Sequence, residues 1–136
     1  MNTRVVLPHD VQEFLSSRIE SYDELEVLVA LQRRPGVSCP LRTISSCTQL
    51  PESRVQLAAE ALCQRGLALA TPLLPTTFQY APADAETDAL VLQLAAIYEK
   101  RKLDVIRAMT ATALERFRRC ALRTFGAFVA SRKYRA

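Results

Sequence analysis

Signals that begin and end helices follow one another closely in the first half of the chain, and they limit the length of every helix there. Ser21 occupies the first position of a capping box, and Pro35 stops the helix that this serine begins. Pro40 and Pro51 each suit the start of a further helix, and Gly66 suits the end of the last one. The sequence therefore predicts three short helices, with a short extended segment between the first two.

Apolar, β-branched and aromatic residues dominate two segments that flank a turn containing Pro72 and Pro75. The segments 67–74 and 77–80 therefore predict a two-stranded hairpin with an irregular turn. Before the capping box, residues 1–20 predict an N-terminal arm followed by a short helix.

Helical periodicity continues through the rest of the chain. Asp84 can cap a long helix that runs from Ala85 to about Met109, and the weak helix formers at 110–112 predict a bend or break there. A last helix is predicted over residues 113–131. The predicted fold class is thus mainly α, with a small β-hairpin and two additional C-terminal helices.

Charge is distributed unevenly along the chain. The formal net charge is +4, but residues 1–99 carry 7 basic and 12 acidic side chains, a net of −5. Residues 100–136 carry 11 basic and 2 acidic side chains, a net of +9. Such an asymmetry is typical of a segment that meets nucleic acid, an anionic membrane or an acidic partner.

Three segments in the first half of the chain have a characteristic spacing: Leu25-Glu26-Val27-Leu28, Ile44 to Leu50, and Val55-x6-Leu62-x3-Gly66-Leu67. Their order resembles the winged helix-turn-helix domain of bacterial transcriptional regulators of the MarR and PadR type. The resemblance covers residues 21–82 and implies a winged helix-turn-helix domain there. It further implies that residues 83–136 form a helical dimerisation region, and that the protein is a DNA-binding transcriptional regulator acting as a homodimer.

In the family that the chain resembles, the second helix of the motif enters the major groove of double-stranded DNA. Within the helix that follows Pro51, Arg54 could pair with guanine and Gln56 with adenine. Basic residues from Lys100 onward would contact phosphates. The predicted DNA-binding residues are Arg42, Ser53, Arg54, Gln56, Arg65, Lys100, Arg101 and Lys102.

Two features of the same domain favour a protein partner instead of DNA. The predicted wing, residues 67–81, contains no charged side chain, and residues 21–82 carry five bases against five acids. Leu57 and Ala61 on the outward side of the helix after Pro51 offer no hydrogen bond to a base. The alternative hypothesis is therefore a winged-helix adaptor that binds another protein without reading DNA.

The last predicted helix combines a seam of apolar side chains with many arginines. We expect the seam to pack against a second copy of the chain, because one small domain cannot bury two further helices alone. A membrane-surface helix, phosphate contacts by the arginines, and a merely solvated basic face are the other interpretations. The predicted dimerisation residues are Leu114, Phe117, Ala121, Phe125 and Phe128.

From the sequence we expect neither a membrane-spanning protein nor a secreted one. The longest apolar runs are too short for a transmembrane helix, and the start of the chain has no signal-peptide core, so a cytoplasmic location is expected. The four cysteines form no C-x-x-C pair, and we expect buried free thiols, with Cys120 the best candidate for redox chemistry.

An enzyme is not expected either, and neither is a cofactor. His9 is the only histidine, and the three glycines in the chain cannot build a phosphate-binding loop. Asp84, Glu86 and Asp88 lie at a predicted helix start, where the helix dipole explains them without a metal ion.

Overall fold

The computed structural model describes residues 7–72, 76–111, 114, 117 and 118, and this part of the chain is mainly helical with a small antiparallel sheet. A further helix, α6, begins at residue 102 and covers the described residues up to 111. The other elements, in chain order, are α1 (His9–Arg18), α2 (Tyr22–Gln32), β1 (Cys39–Pro40), α3 (Leu41–Thr48), α4 (Glu52–Gln64), β2 (Ala68–Ala70), β3 (Thr77–Tyr80) and α5 (Ala85–Lys100).

Local signals set the helix ends. The Ser21 hydroxyl accepts a hydrogen bond from the Glu24 backbone N–H at 3.2 Å and donates to the Glu24 carboxylate at 3.0 Å, which confirms the capping interaction. Asp84 likewise accepts from the backbone N–H of Thr87 at 2.7 Å. Helices α3 and α4 begin directly after Pro40 and Pro51, as predicted.

Two residues with a left-handed backbone conformation lie at the junctions between α3 and α4 and between α4 and β2. Gln49 ends α3 with φ of 62°, and Gly66 follows α4 with φ of 74°. Glycine adopts this conformation without a Cβ penalty, which explains the position of Gly66, whereas Gln49 adopts it at some cost. The turn at Gln49 sets the direction of α4 relative to α3.

The sheet has the strand order β1-β3-β2, with both neighbours antiparallel to β3. The predicted hairpin pairing is confirmed, although β2 is shorter than the predicted segment 67–74. The extended segment near Cys39 adds a third strand. Phe78 lies opposite both Cys39 and Ala70. Its ring is buried in the core, where β3 contacts α2 and β2 contacts α4.

One hydrophobic core joins all of these elements. The apolar sides of α2 and α4 pack together and bury Leu25, Leu28, Val55 and Leu62, each worth roughly 1.5–3 kcal/mol relative to exposure. Helix α1 packs on α5, and buried side chains of both helices belong to the same cluster.

The predicted helix from Ala85 to about Met109 is wrong in one respect, because α5 ends at Lys100. Arg101 has φ of −140° and ψ of 54°, and α6 starts at the next residue. Lysine and arginine favour helices, so no sequence signal marks this break, and tertiary contacts decide it. Beyond the break Val105 is fully buried in the core.

A bend or break is predicted at 110–112, and residues 110 and 111 continue the helix. Residue 112 and most of the predicted last helix lie outside the described residues.

Within the described part of the chain, no helix combines the length and the apolar character needed to cross a membrane.

Candidate functional site

Helix α4 turns one side to the core and the other to solvent. Its buried side chains are Val55, Ala58, Ala59 and Leu62. The exposed side, called the α4 face below, begins in the first turn of the helix. It consists of Ser53, Arg54, Gln56, Leu57, Glu60 and Gln64.

Arg54 on this face is held by Asp23 from the first turn of α2. Its Nε donates to Asp23 Oδ2 at 2.8 Å and its Nη2 donates to Oδ1 at 2.5 Å, so the pair is bidentate. The side chains are 53% and 22% exposed, respectively. The hydrogen bonds from Arg54 to Asp23 raise the pKa of the arginine, which stays charged. Guanidinium has five N–H donors, so three remain for another acceptor.

Gln56 and Arg42 lie near each other at the start of α4 and α3. A recess of about 440 Å³ is lined by Arg42, Thr43, Gln56 and Thr76, among other residues. The Gln56 side chain donates to Glu60 at 3.2 Å. The structure thus places Arg42 beside Gln56, whereas Arg54 lines a different recess with Asp23 and Leu57. Ser53 is exposed in the first turn of α4.

Arg65, at the end of α4, contacts other parts of the protein and does not belong to the α4 face. Its guanidinium donates to the backbone oxygen of Arg18 at 2.9 Å and forms ion pairs with Glu20 and Glu24. Arg18 returns a hydrogen bond to the backbone oxygen of Arg65 at 2.7 Å. The residue therefore ties the end of α1 to the end of α4, and its donors are engaged by the protein.

Exposed apolar side chains lie beside these polar groups. Leu57 on the α4 face is 70% exposed, and Leu69 on strand β2 is 64% exposed. Strand β2 pairs only with β3 in the sheet of the described residues, so it forms one edge of that sheet.

A second polar cluster, which the sequence analysis missed, joins α2 to the beginning of α6. The carboxylate of Glu26 accepts hydrogen bonds from the hydroxyls of Tyr22, at 2.6 Å, and Tyr98, and from Lys102 Nζ at 2.9 Å. The Lys102 ammonium also lies 5.8 Å from the Tyr22 ring and 5.5 Å from the Tyr98 ring. We call these four residues the Glu26 cluster.

The Glu26 cluster is electrostatically coupled. Burial raises the pKa of Glu26, but the hydrogen bonds from the two tyrosines and Lys102 outweigh it, so the pKa lies below its ordinary value. Burial and the bond to Glu26 raise the pKa of Tyr98. The spacing of Tyr98 and Lys102 by four residues was a possible sequence signal, but Glu26 lies 72 positions before Tyr98.

The three basic residues predicted to contact phosphates differ in their surroundings. Lys102 belongs to the Glu26 cluster, and Lys100 is exposed. Nη1 of Arg101 lies 3.8 Å from Oδ2 of Asp104. Tyr22 contacts Lys102, and the next residue, Asp23, holds Arg54. The beginnings of α4 and α6 therefore both approach the first turns of α2.

Of the predicted dimerisation residues, Leu114 and Phe117 are exposed. Ala121, Phe125 and Phe128 lie outside the described residues, as does Cys120. The expectation of buried thiols holds for Cys39 and is wrong for Cys47, which is exposed because it lies on the solvent side of α3. Burial raises the pKa of the Cys39 thiol.

Among the described residues, no three histidine, cysteine or acidic side chains are grouped as metal ligands. Two of the three carboxylates at the start of α5 have partners within the protein. Asp84 caps the helix, and Asp88 accepts a hydrogen bond from the Tyr80 hydroxyl at 2.7 Å.

Comparison of the chain with protein-family models, curated proteins and solved structures gives no match. Function is therefore inferred from the residues of this chain.

Proposed function

We propose that this protein is a winged helix-turn-helix regulator of bacterial transcription that binds double-stranded DNA in the cytoplasm as a homodimer. The observation that carries the proposal is the connectivity α2-β1-α3-α4-β2-β3 with the strand order β1-β3-β2. In this arrangement α3 and α4 form the helix-turn-helix, and the β2-β3 hairpin forms the wing. Helix α4 is then the recognition helix.

The polar residues at the start of α4 support this role. Recognition helices contact base edges mainly through their N-terminal residues, and Ser53, Arg54 and Gln56 are exposed there. Arg42 on α3 lines a recess with Gln56, and from there it can reach a phosphate.

The C-terminal region supplies the positive charge that the domain itself lacks. Residues 100–136 carry a net charge of +9, and this segment begins near the end of α2 that holds Arg54. Each phosphate that a basic side chain neutralises releases counterions, which favours association at low salt.

The test is a binding titration with labelled duplexes that span the DNA on either side of the protein's own gene. We expect the logarithm of the association constant to fall linearly with the logarithm of the salt concentration, by about 0.9 per phosphate contact. Light scattering should give twice the chain mass. A lack of salt-sensitive binding to every duplex would contradict the proposal.

A protein-binding adaptor is the second candidate, and the exposed apolar side chains Leu57 and Leu69 favour it. Two substitutions on the same helix separate the candidates when each variant replaces the wild-type gene in the host. A DNA-binding regulator should lose control of its target transcripts with Arg54→Ala. An adaptor should keep that control with Arg54→Ala and lose it with Leu57→Glu.

The proposed dimer can be tested through the exposed apolar residues that follow α5. Leu114→Glu combined with Phe117→Glu should convert the dimer into a monomer, because charged groups would be buried at the interface. Leu92→Glu, an exposed leucine on α5, is the matched control. Light scattering that shows an unchanged mass for the double variant would contradict an interface at these two residues.

A further inference from the structure

We propose that Arg54 reads the edge of a guanine base, with Asp23 as the positioning residue that aims it. This inference rests on the proposed DNA-binding function and names the base that the α4 face recognises. It starts from the bidentate pair, in which Nε and Nη2 of Arg54 both donate to the Asp23 carboxylate.

The charge of the pair decides between a base and a phosphate. Attraction of a phosphate depends on net positive charge, and Asp23 cancels the charge of Arg54 at a contact distance of 2.5 Å. A base edge is electrically neutral, and its recognition depends on the direction of hydrogen bonds. The pair is therefore poorly suited to a phosphate and well suited to a base.

The remaining donors match guanine. Asp23 occupies the edge of the guanidinium that contains Nε, which leaves N–H groups of Nη1 and Nη2 along the other edge. Guanine presents two acceptors, O6 and N7, side by side in the major groove, and bidentate arginine is their usual partner. Adenine offers one acceptor beside one donor, so it cannot accept both N–H groups.

The position and exposure of Arg54 agree with this assignment. It is the third residue of α4, within the turn that enters a groove first, and its side chain is 53% exposed. Since Asp23 already restricts the side chain, Arg54 loses less conformational freedom when it binds than an unrestrained arginine would.

The experiment is a selection from a pool of randomised duplexes, followed by sequencing of the bound fraction and titration with single-base variants. The wild-type chain, Arg54→Lys, Asp23→Asn and Arg33→Ala are compared. Arg33 is an exposed arginine at the end of α2, so Arg33→Ala removes one positive charge away from the α4 face. Circular dichroism checks that every variant is folded.

We expect the wild type to prefer guanine at one position by about 5- to 150-fold over other bases. Arg54→Lys keeps the charge but lacks the planar donor edge, so this preference should disappear. Asp23→Asn should reduce the preference while it increases salt-sensitive affinity for random DNA, because one negative charge is removed. A purely structural role of Asp23 would not produce these opposite changes. Arg33→Ala should weaken binding without changing the selected bases.

Three outcomes would overturn the inference. A guanine preference that survives Arg54→Lys would make Arg54 a simple positive charge. Salt-sensitive binding by the wild type with no guanine preference dependent on Arg54 would refute this inference and leave the proposed function standing. Absence of salt-sensitive binding by the wild type would refute both.

Discussion

Two acidic residues one helical turn apart on α2 pair with basic residues in contrasting surroundings. Asp23 holds Arg54 at the surface, and both partners keep contact with water. The Glu26 carboxylate is only 12% exposed and accepts hydrogen bonds from two tyrosines as well as Lys102. Exposed pairs add little to stability, whereas removal of a buried acceptor leaves its donors unsatisfied. We infer that the Glu26 cluster stabilises the fold and that the Asp23–Arg54 pair is available for recognition.

The largest expected effect follows from removal of the buried acceptor. Glu26→Ala should lower the free energy of unfolding by about 2 kcal/mol, because the Tyr98 hydroxyl loses its partner in a buried place. Urea denaturation measures the change. Glu99→Ala, which removes an exposed acid on neighbouring α5, is the matched control and should have little effect. An equal loss in both variants would contradict the distinction.

The contribution of Glu26 to the free energy of unfolding should depend on pH. The pKa of Glu26 lies below its ordinary value of 4.5 in the folded protein, so the folded state binds this proton less readily than the unfolded chain. Ionised Glu26 therefore stabilises the fold above about pH 4.5, and this contribution is lost as the pH falls through the lowered pKa. The stability difference between wild type and Glu26→Gln should be largest near neutral pH and shrink below pH 4.5. A difference that grows on acidification would reverse this assignment.

A smaller effect is expected from the basic partner in the cluster. Lys102→Met should lower the free energy of unfolding by about 0.5 kcal/mol, since the ammonium is half exposed and screened while the tyrosines still satisfy Glu26. The loss should diminish in high salt. Lys100→Met, at an exposed lysine two residues earlier, serves as the control. A salt-independent loss would indicate packing by the lysine stem instead of charge.

The smallest stability effect is expected at the exposed pair. Arg54→Ala and Asp23→Asn should each change the melting temperature by no more than about 2 °C, because water replaces the lost partner. Thermal unfolding followed by circular dichroism measures this. A loss as large as that of Glu26→Ala would show that the pair is structural and would remove the contrast between the two sites.

Much of the fold was predictable because its signals are local. The serine cap of α2, the prolines before α3 and α4, and Gly66 each act within a few residues of the helix end that they define. The exposed side of α4 follows from helical periodicity for the same reason.

The side-chain contacts of the candidate site could not be predicted from local signals. Asp23 and Arg54 are separated by 31 positions, and Glu26 and Tyr98 by 72, so their pairing depends on how the helices pack. The break at Arg101 has the same origin, because its residue types favour a continuous helix. Arg65 likewise has partners that its position in the sequence did not indicate, since its guanidinium contacts the end of α1.

The Glu26 cluster has a geometric consequence for the proposed homodimer, which would bind DNA at a pair of half-sites. By fixing Lys102 against α2, it fixes the direction in which α6 starts, and α6 precedes the proposed dimerisation residues. In the proposed homodimer, that direction sets the distance between the two α4 helices. Double-stranded DNA presents the same groove once per turn, about every 34 Å. Residues that touch no base would thus select the spacing of the operator.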